Sequence, residues 1–462
     1  MNTPRLSPGA RLHRPPGDGM KLARRISDLL TGHPGRAAVT LFALVISIFT
    51  GLLALPVASA DGTPTPLVDA AVTATSAVTV TGLTSLESAH FSFTGQIMIL
   101  AAIQIGGLGI VTLGAWLTLM VSRRLSLRTR MASTQSLGVA ALGEVPALLI
   151  TVVLFTFTIE AVLAAVMLPV FVAELGVGDG IFHAVFYALS AFSNAGFGLG
   201  SPAVEHPVIM TTINVGVFAG ALGFPVVYML YRMVFHHARM NLHTRLTLEV
   251  TALLLLGGAV LIAVFEWSNP ATLGPLSVPD KLHAAIFASG MTRSGGFSTY
   301  EVIAQTDQTL LVTNLLMFIG GGAGSTAGGI KVTTLAVLLL AIVAEIRGDE
   351  HIRVHRREIP AGLVRVAVAV VMAGALLVFT AIVGLMAVTG QGFAATTFEA
   401  LSAFGTVGLS TGLTATAPES GQWILIGLMF IGRVGIITFA AGLTARHKPT
   451  FYRYPTERPI IG

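Results

Sequence analysis

Long apolar stretches alternate with short polar ones along the whole chain. Eight stretches reach about 20 apolar residues, the length that a helix needs to cross the hydrocarbon layer of a bilayer. They lie near residues 36–59, 93–121, 145–172, 206–232, 247–266, 308–345, 361–388 and 421–444. The eight form four consecutive pairs, so the pattern predicts four pairs of membrane-spanning helices.

A short motif lies between the two members of each pair, on a segment too short to span. It contains small residues, a serine, an alanine and an apolar residue, and then a turn that ends at a glycine. The four copies end at Gly82, Gly196, Gly296 and Gly408, and the third copy is the most divergent. We therefore predict an all-α membrane protein in which eight spanning helices and four half-crossing pore helices form four helix–pore-loop–helix modules in pseudo-fourfold arrangement around one pore.

The repeat also divides the chain into modules and tails. We expect a basic, disordered cytoplasmic tail over residues 1–35, pore modules over 36–130, 131–245, 246–358 and 359–446, and a cytoplasmic carboxyl-terminal tail over 447–462. The third module contains a glycine-rich break in its second helix.

Composition and charge support a membrane protein. Of 462 residues, 53% are hydrophobic and 11% are charged, which leaves too little polar surface for a water-soluble protein of this size. Most of the 27 Lys and Arg residues fall in alternate loops and in both tails, as in cytoplasmic segments of membrane proteins. We expect a multi-pass protein of the cell membrane with both termini cytoplasmic. The net charge of +5 reflects this bias, and nucleic-acid binding is not expected.

The four loops are candidates for a cation filter. Non-helical backbone at membrane depth must be buried or line a watery cavity, and rings of backbone carbonyls can replace the water shell of a monovalent cation. Close packing of helices through small residues is the alternative explanation of the glycines. The predicted K+ filter residues are Thr79, Val80, Thr81, Gly82, Ser193, Asn194, Ala195, Gly196, Ser294, Gly295, Gly296, Thr406, Val407 and Gly408.

A glycine-rich segment interrupts the second helix of the third module. Glycine costs about 1 kcal/mol relative to alanine inside a helix, so this stretch should unwind beneath the third loop and could act as a gate. The predicted gate residues are Gly320, Gly321, Gly322, Gly324, Ser325, Thr326, Gly328, Gly329, Lys331 and Arg433. A buried arginine such as Arg433 costs about 2.5–3.5 kcal/mol on insertion scales. We expect it to donate hydrogen bonds to carbonyls of this loop, with a purely structural role as the alternative.

Two further charges lie at membrane depth. Arg293 precedes the third filter loop, and we expect it to point away from the axis toward Asp280 or Glu399. Glu160, in the third apolar stretch, either pairs with a polar helix face or belongs to a proton or sodium path.

Several motifs together resemble the Trk/Ktr/HKT superfamily of potassium transporters, and within it the KtrB membrane subunit. They are Thr79-Val-Thr-Gly-Leu83, Gln104-Ile-Gly-Gly-Leu-Gly109, Gly220-Ala-Leu-Gly-Phe-Pro225, the segment 320–331 and Phe430-Ile-Gly-Arg-Val-Gly435. The resemblance implies a homodimer in the lipid bilayer with one pore per protomer and a cytoplasmic, nucleotide-binding KtrA-like ring. It also implies K+ as the transported ion, Na+ as a candidate activator and no covalently bound cofactor.

The expected function is therefore K+ uptake through the four-loop filter, gated by the glycine-rich loop under a cytoplasmic regulatory subunit. A Na+- or H+-coupled cation carrier with a midplane site is the alternative. An enzyme is not expected, because the sequence contains no His-Glu-x-x-His motif.

Overall fold

A computed structural model describes residues 34–124 and 145–435. The tail predicted over 447–462, and that over 1–35 apart from its last two residues, lie outside the described residues. So does the segment 125–144, which joins the first two predicted modules.

Helices make up most of the described chain. They are α1 (Pro34–Leu53), α2 (Leu67–Thr79), α3 (Phe93–Arg124), α4 (Val145–Leu175), α5 (Val177–Phe192), α6 (Pro207–Ala221), α7 (Phe224–His236), α8 (Leu242–Glu266), α9 (Val278–Met291), α10 (Asp307–Phe318), α11 (Val332–Arg347), α12 (Ala361–Thr389), α13 (Phe393–Gly405), α14 (Leu413–Thr416) and α15 (Glu419–Phe430), and α15 continues into a π-helical turn over Ile431–Gly435.

The predicted half-crossing helices are α2, α5, α9 and α13, and their packing closes a ring. Within each quarter of the chain, the pore helix packs against the helix before it, as α2 does on α1 and α5 on α4. The helix that follows each pore helix then contacts the next pore helix: α3 contacts α5, α6 contacts α9, α10 contacts α13, and α15 contacts α2. The last contact joins the end of the chain to its beginning.

Four continuous helices in the described ranges are long and apolar enough to cross a membrane, namely Arg36–Leu53, Val152–Leu175, Leu242–Glu266 and Ala361–Thr389. The stretch at 308–345 is divided between α10 and α11, as its glycines predicted. The stretch at 206–232 was expected to be one span, and it is not one continuous helix. It is broken into α6 and α7, which are bent by 98°. Gly223 at the break has φ 86, and Pro225 lacks the amide hydrogen that a continuous helix needs.

A small antiparallel hairpin departs from the all-α prediction. Strand β1 (Ile352–Val354) pairs with β2 (Arg357–Ile359) between α11 and α12. His355 and Arg356 form its turn with φ values of 50 and 61, in the two-residue geometry that usually requires glycine or asparagine. Because neither residue is present, the sequence carried no signal for this hairpin.

Burial separates the pore helices from the outer helices. In α2, every residue from Ala70 to Thr79 is buried. The outer helices expose large apolar side chains, with Leu253 of α8 and Phe379 of α12 about two-thirds exposed. Polar backbone turns thus lie at the centre, and an apolar surface suited to lipid surrounds them.

Candidate cation pathway

Each pore helix ends in the same backbone turn. We call these turn one (79–82), turn two (193–196), turn three (293–296) and turn four (405–408). The second residue of every turn is left-handed, with φ 56 at Val80, 60 at Asn194, 63 at Ser294 and 47 at Thr406. The glycine that ends each turn is also left-handed, with φ values of 96, 69, 74 and 93 in chain order. Since non-glycine residues rarely adopt positive φ, four equivalent cases mark one local structure repeated four times.

The serine of the repeated motif holds two of these turns. The Ser76 Oγ accepts a hydrogen bond of 2.9 Å from the Gly82 amide, and the Ser402 Oγ accepts one of 3.2 Å from the Gly408 amide. In the second copy the serine bonds elsewhere, because the Ser190 Oγ donates to the Phe197 carbonyl just after turn two. In the third copy Gly290 occupies the position of this serine, which fits the divergence of that copy. The neighbouring Ser289 Oγ donates to a carbonyl of α8.

The four terminal glycines form a closed ring. A Cβ built on Gly82 would lie 3.1 Å from the Gly408 Cα and 3.2 Å from the Gly196 Cα. One built on Gly296 would lie 2.7 Å from the Gly196 Cα and 3.4 Å from the Gly408 Cα. The turns therefore meet around one axis in chain order, and the ring has no room for a side chain at these positions.

A carbonyl oxygen lies beside each glycine of the ring. The Ala195 oxygen would be 2.5 Å from a Cβ on Gly82, and the Val407 oxygen 2.7 Å from one on Gly296. The Gly295 oxygen would be 3.2 Å from a Cβ built on Gly196, and the Thr81 oxygen would contact a Cβ built on Gly408. Four neutral oxygens from equivalent residues thus surround the axis. Such a ring can replace the hydration shell of a monovalent cation.

Arg293 at the start of turn three has no carboxylate partner among the described residues, so the predicted pairing with Asp280 or Glu399 was wrong. Asp280 accepts from Ser277, and a Glu399 oxygen accepts from Ser410 and Thr414. Local hydroxyls thus contact one oxygen of each carboxylate, and the Glu399 Oε2 has no partner among the described residues. Arg293 is 4% exposed and follows the carboxyl end of α9, where the negative end of the helix dipole stabilises a cation.

The glycine-rich segment forms an ordered loop, which we call the intramembrane loop (residues 319–331). The Gly320 amide donates to the Ile330 carbonyl at 2.8 Å, and the Ile330 amide donates to the Phe318 carbonyl at 3.1 Å. The two ends of the loop therefore run side by side. A Cβ on Gly320 would overlap the Gly328 oxygen, so this close approach requires glycine.

The structure places this loop directly against the turns. The Thr326 hydroxyl donates to the Asn194 Oδ1 of turn two at 2.7 Å, and the Gly328 amide donates to the Ser294 Oγ of turn three at 3.1 Å. A Cβ on Gly328 would overlap the Thr406 Oγ1 of turn four. Residues predicted as a gate and residues predicted as a filter thus form one buried site.

The two predicted gate cations differ in their contacts. The Lys331 Nζ donates to the Ala327 carbonyl of the loop at 2.6 Å. Arg433 is 3% exposed, and none of its three guanidinium nitrogens has a hydrogen-bond partner in the part of the chain that the structure describes. The expectation that Arg433 bonds to the loop carbonyls was therefore wrong. Lys331 bonds to a loop carbonyl instead, because it is the last residue of the loop and its long side chain folds back onto Ala327.

The break between α6 and α7 is a part of the site that sequence reasoning missed. The Phe224 amide donates to the Gly324 carbonyl at 3.1 Å, and a Cβ on Gly223 would lie 2.5 Å from the Ala323 oxygen. The broken helix thus binds the outer curve of the intramembrane loop. A signal was present in the sequence, since glycine two residues before a proline is a frequent helix boundary.

Glu160 is 3% exposed and lies beside the site. Its Oε2 accepts a hydrogen bond of 3.2 Å from the Gln104 amide of α3. The Glu160 Oε1 and the Gln104 Oε1 have no partner among the described residues. The contact supports the polar-pair interpretation, and the free oxygens leave the ion-path alternative open.

One acidic residue outside the spans has a perturbed pKa. Asp61 follows α1, in a segment expected to face outward. Hydrogen bonds from Ser59 and then Thr63 lower the pKa of Asp61 to about 2. Asp61 therefore keeps its negative charge to a lower pH than an ordinary aspartate.

Fold and site together define a multi-helix membrane protein in which four glycine-terminated turns meet beside a glycine-rich loop. A family model described as "TrkH: Cation transport protein" matches residues 37–448. The chain therefore belongs to the TrkH family of cation transport proteins, which confirms the resemblance noted above.

Individual relatives are similar over nearly their whole length. The Ktr system potassium uptake protein B of Vibrio alginolyticus is 38% identical, over 89% of this chain and 91% of the relative. The potassium/sodium uptake protein NtpJ of Enterococcus hirae is 34% identical, over 90% of this chain and 95% of the relative. These relatives are transporters and not enzymes, as expected for this chain.

A solved structure supports the fold. The crystal structure of the potassium transporter TrkH from Vibrio parahaemolyticus aligns with a TM-score of 0.67. The alignment covers 91% of this chain and 85% of the TrkH chain, at 20% sequence identity. At this identity the likeness establishes the fold alone.

Proposed function

We propose that this protein is the membrane subunit of a Ktr-type potassium uptake system and conducts K+ along the axis of the four turns. The observation that carries the proposal is the ring of Gly82, Gly196, Gly296 and Gly408, with a carbonyl oxygen beside each glycine. The relatives named as potassium uptake proteins support K+ as the ion.

In this proposal the turns form a selectivity filter within a pseudo-fourfold pore. A cation that enters the ring exchanges water for backbone oxygens, which cost no reorganisation because the turns are already formed. The carboxyl ends of α2, α5, α9 and α13 adjoin the turns, and the negative ends of their dipoles favour a cation there. By the resemblance to the Trk/Ktr/HKT superfamily, in whose plant HKT members serine at this position goes with Na+ preference, Gly82 supports K+ as the preferred ion.

The intramembrane loop is the proposed gate. It lies against turns two, three and four and is itself held by hydrogen bonds to α6 and α7. A change in the α6–α7 bend would therefore move the loop. We further propose a homodimer, cytoplasmic termini, a KtrA-like nucleotide-binding ring that controls the gate, and Na+ as an activator.

A coupled carrier is the second candidate, and Glu160 favours it. A buried carboxylate with an unpartnered oxygen at membrane depth is a frequent marker of proton or sodium paths. In a carrier, cation flux would follow Na+ or H+ in a fixed ratio.

The test is K+ flux by the purified chain in liposomes, together with rescue of a bacterium that lacks its own potassium uptake systems. We expect Gly82→Ser to lower K+ flux about tenfold or more, because a left-handed side-chain residue costs roughly 1–2 kcal/mol and its Cβ collides with the Ala195 carbonyl. Gly257→Ala is the matched control, since a Cβ there meets nothing within 4 Å.

Unchanged K+ flux and selectivity in Gly82→Ser would contradict the filter. Strict stoichiometric coupling of K+ flux to Na+ or H+ would favour the carrier instead.

A further inference from the structure

The intramembrane loop bonds to equivalent side chains of two turns. Asn194 and Ser294 occupy the same second position of turn two and turn three, and both have positive φ. The loop reaches the first through the Thr326 hydroxyl and the second through the Gly328 amide. Two hydrogen bonds thus join the proposed gate to the residues that shape the proposed filter.

The bond to Asn194 has a defined direction. The Asn194 Nδ2 donates to the Val217 carbonyl of α6 at 3.2 Å, which leaves the Oδ1 as the acceptor for Thr326. Asn194 is fully buried and Thr326 is 4% exposed, so water does not replace the contact easily. If the loop moved away, the Oδ1 would lose its partner in a buried setting.

The Ser294 hydroxyl links three elements. It accepts from the Gly328 amide at 3.1 Å and donates to the Gly405 carbonyl of turn four at 3.0 Å. A Cβ on Gly328 would lie 2.9 Å from the same Gly405 oxygen. Movement of the loop therefore changes the surroundings of turns two, three and four together. Turn one has Val80 at this position, and Val80 is buried in an apolar cluster with Ala77 and Val78.

We propose that these bonds couple ion occupancy of the turns to the position of the intramembrane loop, with Asn194 and Ser294 as positioning residues. This inference rests on the proposed function, because it takes the turns as the ion site and the loop as the gate. Such coupling is reciprocal. An ion that stabilises the present turn geometry holds the loop in place, and displacement of the loop weakens ion binding.

A thiol-labelling experiment can measure this coupling without flux. The chain contains no cysteine, so Ala323→Cys gives a single thiol at a partly exposed position of the loop. The purified protein in detergent is labelled with a maleimide in K+ or in Na+ at equal concentration. We expect labelling to be slower in K+ by about fivefold or more, the lower range of typical coupling between sites.

The variants separate coupling from folding. Thr326→Val and Ser294→Ala, each in the Ala323→Cys background, should bring the ratio of labelling rates close to one. Thr326→Ser keeps the hydroxyl and should retain the ratio. Thr212→Val is the matched control, because the Thr212 hydroxyl bonds to the Val208 carbonyl of its own helix. That variant should also retain the ratio.

Two results would overturn the inference: equal labelling rates in K+ and Na+ in the Ala323→Cys parent, or a ratio that survives both Thr326→Val and Ser294→Ala. A parent that conducts K+ in liposomes but shows no ion-dependent labelling would refute the coupling alone. A parent without K+ flux would refute the proposed function.

Discussion

Turns one and four have a side-chain hydrogen bond from their own pore helix, whereas turns two and three have side-chain hydrogen bonds to the intramembrane loop. In turns one and four, Ser76 and Ser402 accept the amide of the terminal glycine. In turns two and three, Asn194 and Ser294 bond to the intramembrane loop. The backbone of every turn also bonds to its own pore helix, so the two pairs differ in their side-chain contacts. Turns two and three are therefore suited to a part of the proposed pathway that responds to the proposed gate, and Ser294 extends that contact to Gly405 of turn four.

The helices behind the turns show a different contrast, in which the third quarter departs from the other three. In three quarters of the chain, a glycine of the following helix packs on a carbonyl near the end of the pore helix: Gly106 on Val78, Gly220 on Phe192, and Gly432 on Phe404. In the third quarter, Gly320 packs on the Gly328 carbonyl of the intramembrane loop instead. The departure from fourfold symmetry therefore coincides with the unwound segment.

The largest expected effect is loss of a ring glycine from turn four. Gly408→Ala places a Cβ against the Thr81 carbonyl and forces alanine to φ 93. Left-handed backbone costs a side-chain residue roughly 1–2 kcal/mol before the collision is counted. We expect K+ flux in liposomes to fall at least tenfold.

Gly427→Ala in α15 is the control for this experiment, because a Cβ there meets nothing within 4 Å. It should leave flux unchanged. Normal flux and selectivity in Gly408→Ala would mean that the glycine ring is not the narrow part of the pathway.

A smaller effect tests the contrast between the two kinds of turn. Ser402→Ala removes the acceptor of the Gly408 amide, and a buried amide without a partner costs about 1–3 kcal/mol. We expect the ratio of K+ to Na+ flux to fall about fivefold, which corresponds to about 1 kcal/mol.

Ser289→Ala is the control variant in the third pore helix, where the position equivalent to Ser402 is Gly290 and Ser289 precedes it. The Ser289 hydroxyl bonds to the Leu255 carbonyl of α8 and not to turn three. It should lower the Tm slightly and leave the flux ratio unchanged. If Ser402→Ala and Ser289→Ala changed the flux ratio equally, the side-chain bond from the pore helix would not distinguish turn four from turn three.

Where constraints were local, the sequence was sufficient to predict the structure. The glycine-terminated motif and the glycines of 320–329 act through backbone conformation, so their turns and the unwound segment could be read directly. Family membership followed from the same motifs. The serine pattern was visible as well, although its two different uses were not.

Where constraints were tertiary, the predictions were incomplete or wrong. Glu399 was a reasonable partner for Arg293 by charge, but its Oε1 accepts from the nearby hydroxyls of Ser410 and Thr414 and its Oε2 has no partner among the described residues. Arg433 was expected to bond to the loop, and Lys331 does so. The bend at Gly223 is stabilised by contact with the Ala323 and Gly324 backbone, about a hundred positions later in the chain. Such choices among partners depend on the folded arrangement and have no local signature.

The smallest expected effect concerns the support behind turns one and two. The Gln104–Glu160 bond joins α3 to α4, and two residues further along α3 Gly106 packs on the end of the first pore helix. Glu160→Gln keeps the size of the side chain and an oxygen that can accept from Gln104. If the pair is structural, K+ flux and its pH dependence should not change. Glu160→Ala leaves the Gln104 amide without an acceptor and should lower the free energy of unfolding by about 1–3 kcal/mol.

If the protein is a coupled carrier, Glu160→Gln should change the cation flux even though it keeps the size of the side chain. An ion-coupling carboxylate must change its charge or bind a cation, and a glutamine at position 160 cannot titrate and carries no negative charge to hold a cation. If the flux became independent of Na+ and H+ in Glu160→Gln while the Tm stayed unchanged, the ion site would be assigned to the α3–α4 contact and not to the turns. Unchanged flux in Glu160→Gln with a lowered Tm in Glu160→Ala would restrict Glu160 to holding together the helices behind turns one and two.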